Sequence, residues 1–243
     1  KMPVWELKEE GDLDRIFNEQ LKKCGIEYFD YYFMHALGDG NYKSAQKFHG
    51  FEWMQKMKAE GKIKHPGFSF HDSAEKLEEI LNDHPEVELV QLQINYIDWE
   101  SDNVQARKCY EVAMKHGVQV AIMEPIKGGS LANVMDDAKK IFKDVNPDAS
   151  VASWAVRYAA SLDNVLVVLS GMSNMEQLKD NMSYMKDFKP LDDKEREAVK
   201  KATELIKSTI AIPCTACRYC TDGCPQSINI PRYFEIYNES KRY

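Results

Sequence analysis

The sequence contains no long uncharged apolar run, and its mean hydropathy is −0.52. A spanning helix needs about 20 consecutive mostly apolar residues, so no membrane partner is expected. It also lacks a basic excess: 39 acidic residues against 32 basic ones give a net charge of −7 and a pI near 5.5. A surface that holds nucleic-acid phosphates carries the opposite balance, so nucleic acid is not an expected partner either. No secretory leader opens the chain, because Lys1-Met2-Pro3-Val4-Trp5 runs straight into acidic residues, and there is no initiator methionine. The dinucleotide fingerprint G-x-G-x-x-G is missing. Cysteine is sparse outside one place: of six, four fall between Cys214 and Cys224. That clustering argues against a disulfide framework and for a metal site in a reducing, cytoplasmic compartment.

What is present is an alternation of short apolar runs with longer amphipathic stretches. The runs Tyr28–Ala36, His65–Phe70, Val87–Ile97, Val118–Ile126 and Asn164–Met172 are nearly continuous in apolar residues, the pattern of parallel strands buried on both faces. Between them lie helical segments with start and stop signals. Asp12 is a cap for a helix bearing Leu13, Ile16, Phe17, Leu21 and Cys24, with Gly25 just past its end. Asp72 and Glu75 form a capping-box-like pair before Leu77, Ile80 and Leu81. Lys108–His116 stops at Gly117, Val151–Ala160 follows a cap at Asp148, and Asp192–Ser208 is one charged amphipathic helix.

A strand–helix repeat of this size leaves the doubly wound sheet and the (β/α)8 barrel, and the missing fingerprint favours the barrel. Five strong strands and a partial one at Lys1–Trp5 make six, where a closed barrel has eight. The reading is therefore an α/β (TIM) barrel whose first two βα units precede Lys1. It is divided into a partial barrel over 1–190 and a C-terminal helix with a metal-binding segment over 191–243.

Residues 214–225 read Cys-Thr-Ala-Cys-Arg-Tyr-Cys-Thr-Asp-Gly-Cys-Pro, or C-x2-C-x2-C-x3-C-P. Two-residue gaps let one loop offer successive thiolates to neighbouring irons, so Cys214, Cys217, Cys220 and Cys224 suit a [4Fe–4S] cluster. Zinc and free thiols are the competing readings, since zinc sites pair two ligands before a longer gap. The fourth ligand is Cys224 itself or a distant cysteine, Cys24 or Cys109. Downstream, Pro231 opens a short aromatic helix, Arg232–Tyr243, whose Tyr233, Phe234 and Tyr237 are expected to pack over the cluster.

The last strand ends in Ser170-Gly171-Met172-Ser173, and Ser173-x-x-Glu176 reads as a capping box. A late strand, a glycine and a helix N-terminus together form an anion site.

With these residues in view, the sequence resembles the aldo/keto reductase superfamily, in the branch with a C-terminal ferredoxin-like cysteine motif. The marks are the strand Tyr28-Phe29-Asp30-Tyr31-Tyr32-Phe33-Met34 running into His35, then Gly67-Phe68-Ser69, Gln91 and Asn95, and Ser170 through Asn181. The resemblance implies a barrel that binds NADP or NAD in extended form and transfers hydride between nicotinamide and a small-molecule carbonyl. It implies His35 as the residue that orients the carbonyl, and Lys1 as the lysine that lowers the pKa of a tyrosine general acid. The family's tyrosine and aspartate belong to a second βα unit with no counterpart among these residues. Ser69 and Gln91 fall where the family binds the carboxamide, with Phe70 where asparagine is frequent. Met123 stands in place of an aromatic that stacks on nicotinamide. Gly171 and Gln177 replace basic residues that often hold the 2′-phosphate, for which Lys127 or Lys179 could substitute; Ser173 lies at the helix cap, and Asn181 matches an adenine-binding asparagine. Gly38–Lys47 is read as a polar substrate loop. The cluster implies an electron-transfer partner or a structural staple. The alternative readings are a non-catalytic nucleotide-binding redox sensor and an electron-transfer protein.

Overall fold

The computed structural model describes residues 1–209, 211–212, 214 and 219–240, with only the backbone for Tyr219, Asp222, Glu239 and Ser240. The chain runs α1 (Asp12–Cys24), β1 (Phe29–Leu37), α2 (Asp39–Lys47), α3 (Gly50–Ala59), β2 (Ile63–Phe70), α4 (Ala74–Asp83), β3 (Leu89–Gln93) and α5 (Ala106–His116). It continues through β4 (Gln119–Met123), α6 (Asp136–Val145), α7 (Val151–Ala160), β5 (Val165–Val168), α8 (Met175–Met185), α9 (Asp193–Ser208), α10 (Tyr219–Asp222) and α11 (Ile230–Ser240). The five strands form one parallel sheet in sequence order, each crossover carrying at least one helix. This is the α/β, parallel-sheet architecture the repeat predicts.

The residues divide into two compact units. The first comprises Lys1–Ile94, Asp98–Met123 and Leu162–Leu169, and it holds the sheet. Side chains alternate between the two faces of each strand. Met34, Phe68, Val90, Val120 and Ile122 point one way and are fully buried. Phe33, Leu89 and Ala121 point the other way and form a small buried cluster of their own. Gly67 sits in that second face because nothing larger fits: a Cβ there would lie 2.2 Å from the Leu89 carbonyl oxygen and 2.8 Å from the Phe33 ring.

The second unit comprises Asn95–Ile97, Glu124–Ser161 and Ser170–Tyr243. Its core gathers Tyr96, Phe142, Trp154, Ala198, Val199, Ala202 and Ile206, with the Phe142 and Trp154 rings stacked at 4.7 Å. Arg157 on α7 makes a two-pronged ion pair with Glu195 on α9, at 2.7 and 2.8 Å, and both side chains are only 11% exposed. Removing one partner of such a pair costs about 3 kcal/mol, because the other charge is left without compensation.

Several local expectations are corrected. Lys1–Trp5 is not a strand: Met2 makes one parallel bridge to Met34, and Val4–Glu6 is a 3₁₀ turn, closed by Glu6 N–H to the Pro3 carbonyl at 2.9 Å. Pro3 has no N–H with which to continue a ladder. The polar stretch read as a loop is largely α2, held by burial of Tyr42 and Ala45. The caps also move. Gly11 rather than Asp12 precedes α1, Ser73 rather than Asp72 caps α4, Ser150 rather than Asp148 caps α7, and Asn174 rather than Ser173 caps α8. The expected acidic caps Asp12 and Asp72 are engaged elsewhere: Asp12 accepts the Lys8 and Glu9 N–H groups, and Asp72 accepts those of Asp39 and Ser73. Asp192 does cap α9, with Glu195 completing a capping box. No described helix is long and apolar enough to cross a membrane.

Candidate active site

The site is built at the carboxyl ends of β1 to β4, where a parallel sheet with helical crossovers offers loops for chemistry. On β1, Met34 pairs with Phe68 but Leu37 pairs with Phe70, so β1 carries one extra residue there. The bulge falls at His35 and Ala36, and Ala36 takes a left-handed φ of 55°. Bulges re-aim side chains at the rims of sheets. Here the freed groups are caught: Ala36 N–H donates to the Ser69 hydroxyl at 2.8 Å, and Asn41 Nδ2 donates to the Ala36 carbonyl at 2.8 Å. His35 is thus fixed just before a strained, doubly anchored residue.

Lys1 is placed against the same strand. Met2 N–H donates to the Phe33 carbonyl at 2.8 Å, and His35 N–H donates to the Met2 carbonyl at 2.9 Å. Gln20 on α1 donates to the Lys1 carbonyl at 3.0 Å and accepts the Tyr32 hydroxyl at 2.7 Å. Lys1 Nζ lies 5.9 Å from the centroid of the Phe33 ring. Although Lys1 is exposed as a residue, the protein around its amine lowers the pKa by desolvation. His35 is pushed down to about 4, by burial first, then by the charge of Lys1 and by His71. At neutral pH the ring is uncharged, with one nitrogen free to donate a hydrogen bond and the other to accept one.

Ser69 and Gln91 are neighbours in the β2–β3 register, and both are buried. Gln91 Nε2 reaches the Met123 sulfur at 3.0 Å, while Gln91 Oε1 is buried with no hydrogen-bond partner. An amide oxygen left so costs about 1–3 kcal/mol, so this atom is a marked acceptor waiting for a donor. Met123, half-buried, flanks Gln91 where the resemblance expects an aromatic ring. Phe70 is buried to 3% exposure and offers no polar group in place of the frequent asparagine.

The second group of expected cofactor residues lies in the other unit. Gly171 is exposed, with open space where a Cβ would be. Ser173 N–H donates to Gln177 Oε1 at 2.6 Å, and Gln177 N–H donates to Asn174 Oδ1 at 2.9 Å. Asn181 is buried and uses its amide internally, donating to the Ser170 hydroxyl at 2.8 Å and accepting from Tyr184.

Of the cysteine cluster, Cys217 lies outside the described residues. Cys214 and Cys224 are half-buried, Cys220 is exposed, and Cys224 Sγ accepts the Ile228 N–H at 3.4 Å. Among the described residues no group of three or more His, Cys, Asp or Glu is arranged to hold a metal ion. Tyr233 and Tyr237, expected to pack over a cluster, are 64% and 45% exposed, while Phe234 is half-buried.

Sequence reasoning missed three residues of the site. Trp5 stands with its ring centroid 4.9 Å from that of His35, and Ala36 and Asn41 form the anchor after it. The available signal for Trp5 was a tryptophan in the short polar-flanked run after Lys1; nothing in the sequence marks a left-handed alanine. An open recess lined by Trp5, Glu6, Lys8, Glu9, Asp12 and Arg15 shares only Trp5 with these residues.

The aldo/keto reductase family profile matches residues 1–204, so the chain belongs to the aldo/keto reductase family and is an oxidoreductase of that type. No curated protein matches it in sequence. Solved structures share its fold. One is the aldo-keto reductase AKR11C1 from Bacillus halodurans in its holo form, 20% identical, covering 82% of this chain and 70% of its own, with a TM-score of 0.63. Another is an aldo/keto reductase from Klebsiella pneumoniae in complex with NADP and acetate, 19% identical, covering 84% and 68%, with a TM-score of 0.65. An aldo/keto reductase from Brucella melitensis is 21% identical, covers 78% and 67%, and has a TM-score of 0.60.

Proposed function

We propose that this chain binds the nicotinamide of NADP or NAD at β2 and β3 and presents a small-molecule carbonyl compound to it beside His35. The observation that carries the reading is the unpartnered, buried Gln91 Oε1 next to the Ser69 hydroxyl. A carboxamide supplies what this pair lacks: its NH2 can donate to Gln91 and its oxygen can accept from Ser69. When bound, the nicotinamide supplies a hydride equivalent for the carbonyl carbon. The chain's own residues then polarise and place the substrate. Neutral His35 donates an N–H to the carbonyl oxygen, and the Lys1 ammonium adds positive potential where negative charge develops. The resemblance assigns the proton donor to a tyrosine that is not among these residues. For the remaining cofactor contacts, Gly171, Ser173, Gln177 and Asn181 are assigned by that resemblance, with a carbonyl-bearing metabolite as the substrate class.

The test is a fluorescence titration with NADPH on the whole chain. Gln91→Leu should weaken binding about tenfold, since it removes one buried acceptor bond. It should also leave the ligand-free protein at least as thermally stable, because an unsatisfied oxygen disappears. Wild-type affinity in that variant would overturn the assignment.

We also propose that Cys214, Cys217, Cys220 and Cys224 hold a [4Fe–4S] cluster. The support is the spacing and the thiolate chemistry of the donors, together with the N–H···S contact at Cys224.

A further inference from the structure

We propose that Asn41 on α2 is a positioning residue of the site: through the left-handed Ala36 it holds His35 and Ser69 in fixed relation, so that one side chain sets the carbonyl against the nicotinamide. The inference rests on the reading of His35 as the carbonyl residue and Ser69 as a nicotinamide residue, and it deepens that reading by naming what aligns the two.

The chain of contacts is short. Asn41 Nδ2 donates to the Ala36 carbonyl at 2.8 Å, and Ala36 N–H donates to the Ser69 hydroxyl at 2.8 Å. Ala36 stands between these two bonds at a φ of 55°, with His35 as its covalent neighbour. A residue in that conformation persists only where its surroundings over-determine it. Here the Ser69 bond fixes one side of Ala36 and the Asn41 bond fixes the other. The first bond also acts on the cofactor half. By filling an acceptor position on the Ser69 oxygen, Ala36 N–H leaves the hydroxyl proton to be donated elsewhere, which is what a carboxamide oxygen needs.

Asn41 is itself set on a fixed base. Asp39 N–H, in the same turn of α2, donates to Asp72 Oδ2 just past β2 at 2.9 Å. The Ser44 hydroxyl donates to the Val4 carbonyl, in the turn after Lys1, at 2.8 Å. The Tyr42 hydroxyl donates to Asp83 at 2.7 Å and lies 3.2 Å from His84 Nε2. With only Tyr42 and Ala45 buried, α2 is docked chiefly by these polar bonds. Such bonds fix direction as well as distance, and direction is what a supporting residue must supply. They reach the three segments that carry Lys1, His35 and Ser69.

The test follows the His35 ring by NMR and NADPH by fluorescence titration, both on the whole chain. Asn41→Ala removes the donor and keeps the helix, since alanine is the best helix former. The freed bulge should relax and give the ring more water, moving its titration midpoint up from about 4 toward 6.5. NADPH binding should weaken about three- to tenfold, the worth of one misplaced hydrogen bond. The second arm places Asn41→Ala in an Ala36→Gly background. Glycine adopts the left-handed φ freely, so the bulge should hold without Asn41, and midpoint and affinity should return most of the way to wild type. Tyr42→Phe is the control for docking of α2. It should lower the thermal midpoint and leave the His35 titration and NADPH affinity unchanged. The proposal is overturned if Asn41→Ala leaves the His35 midpoint in place, or if it moves His35 without weakening NADPH. It is overturned equally if Ala36→Gly gives no rescue, or if Tyr42→Phe moves the His35 midpoint as far. A wild-type chain that does not bind NADPH removes the nicotinamide reading alone, because the His35 midpoint still reports on Asn41.

Discussion

The chemistry of His35 turns on which form of its ring the fold selects. Burial and nearby positive charge both oppose protonation, so the ring titrates at about 4 where 6.5 is ordinary. Above pH 6.5 the ring is neutral whether the chain is folded or not, and it adds no pH dependence. Between 6.5 and about 4 the unfolded chain takes up a proton that the folded chain refuses, so folding stability falls as pH falls across that window, and levels off below it. An NMR titration of the His35 ring proton should show the midpoint near 4. Lys1→Met removes one of the opposing charges and should raise the midpoint, with burial holding it below 6.5. A midpoint at 6.5 in the wild type would show that the fold does not select the neutral ring. The direction also matters for chemistry, because a protonated His35 would add a charge beside Lys1 where only one has been accommodated.

Strand β1 shows how an element aims a residue. The extra residue between Met34 and Leu37 is accommodated by a left-handed Ala36 whose N–H and carbonyl are both bonded to side chains. Left-handed φ costs an alanine about 1 kcal/mol and a β-branched residue more, while glycine adopts it freely. Ala36→Gly should therefore leave the thermal midpoint unchanged or slightly raised. Ala36→Val should lower stability by about 2 kcal/mol in denaturant titration and displace the His35 ring signals. Equal stability of the two variants would show that the bulge is not under strain. Such a bulge is invisible in sequence, whereas the strand around it is legible: the apolar run predicts 28–36 and the strand spans Phe29–Leu37. β2, β3 and β4 are found in the same way, because burial leaves a continuous apolar signature; β5 carries the same apolar run, but contrary to the expectation of burial on both faces its Leu166 and Val167 are exposed. The caps lie one or two residues from the expected positions for an equally physical reason. A carboxylate near a helix start signals a cap, but Asp12 spends an oxygen on the preceding turn, and Asp72 spends its oxygens on the first residue of α2 and on Ser73. Helix α2 leaves no periodic signal in the sequence because its buried stripe is two residues, Tyr42 and Ala45. What holds Tyr42 is tertiary, a hydrogen bond to Asp83 at 2.7 Å.

For the molecule as a whole, composition and motif separate cleanly in what they reveal. The strand–helix repeat suffices for the α/β class, and the order of His35, Ser69, Gln91 and Asn181 suffices for the family. The partners of those residues were not legible, since Trp5 meets His35 and Gln20 meets Lys1 only through the fold. The cysteine tetrad makes the reverse case, strong in spacing, and its chemistry can be decided by asking which thiols are available as thiolates. Cys109 is buried on α5, and burial with Glu75 and Asp72 nearby pushes its thiol up to about 12. A metal ligand must be the thiolate, so Cys109 is a poor fourth ligand beside the less buried Cys224. Protein purified without oxygen should therefore be brown, with iron and sulfide near about four per chain. Cys224→Ser should lower both, while Cys109→Ser and Cys24→Ser leave them unchanged. A colourless chain holding one zinc would replace the cluster with a zinc site. Iron retained in Cys224→Ser but lost in Cys24→Ser would move the fourth ligand to the end of α1.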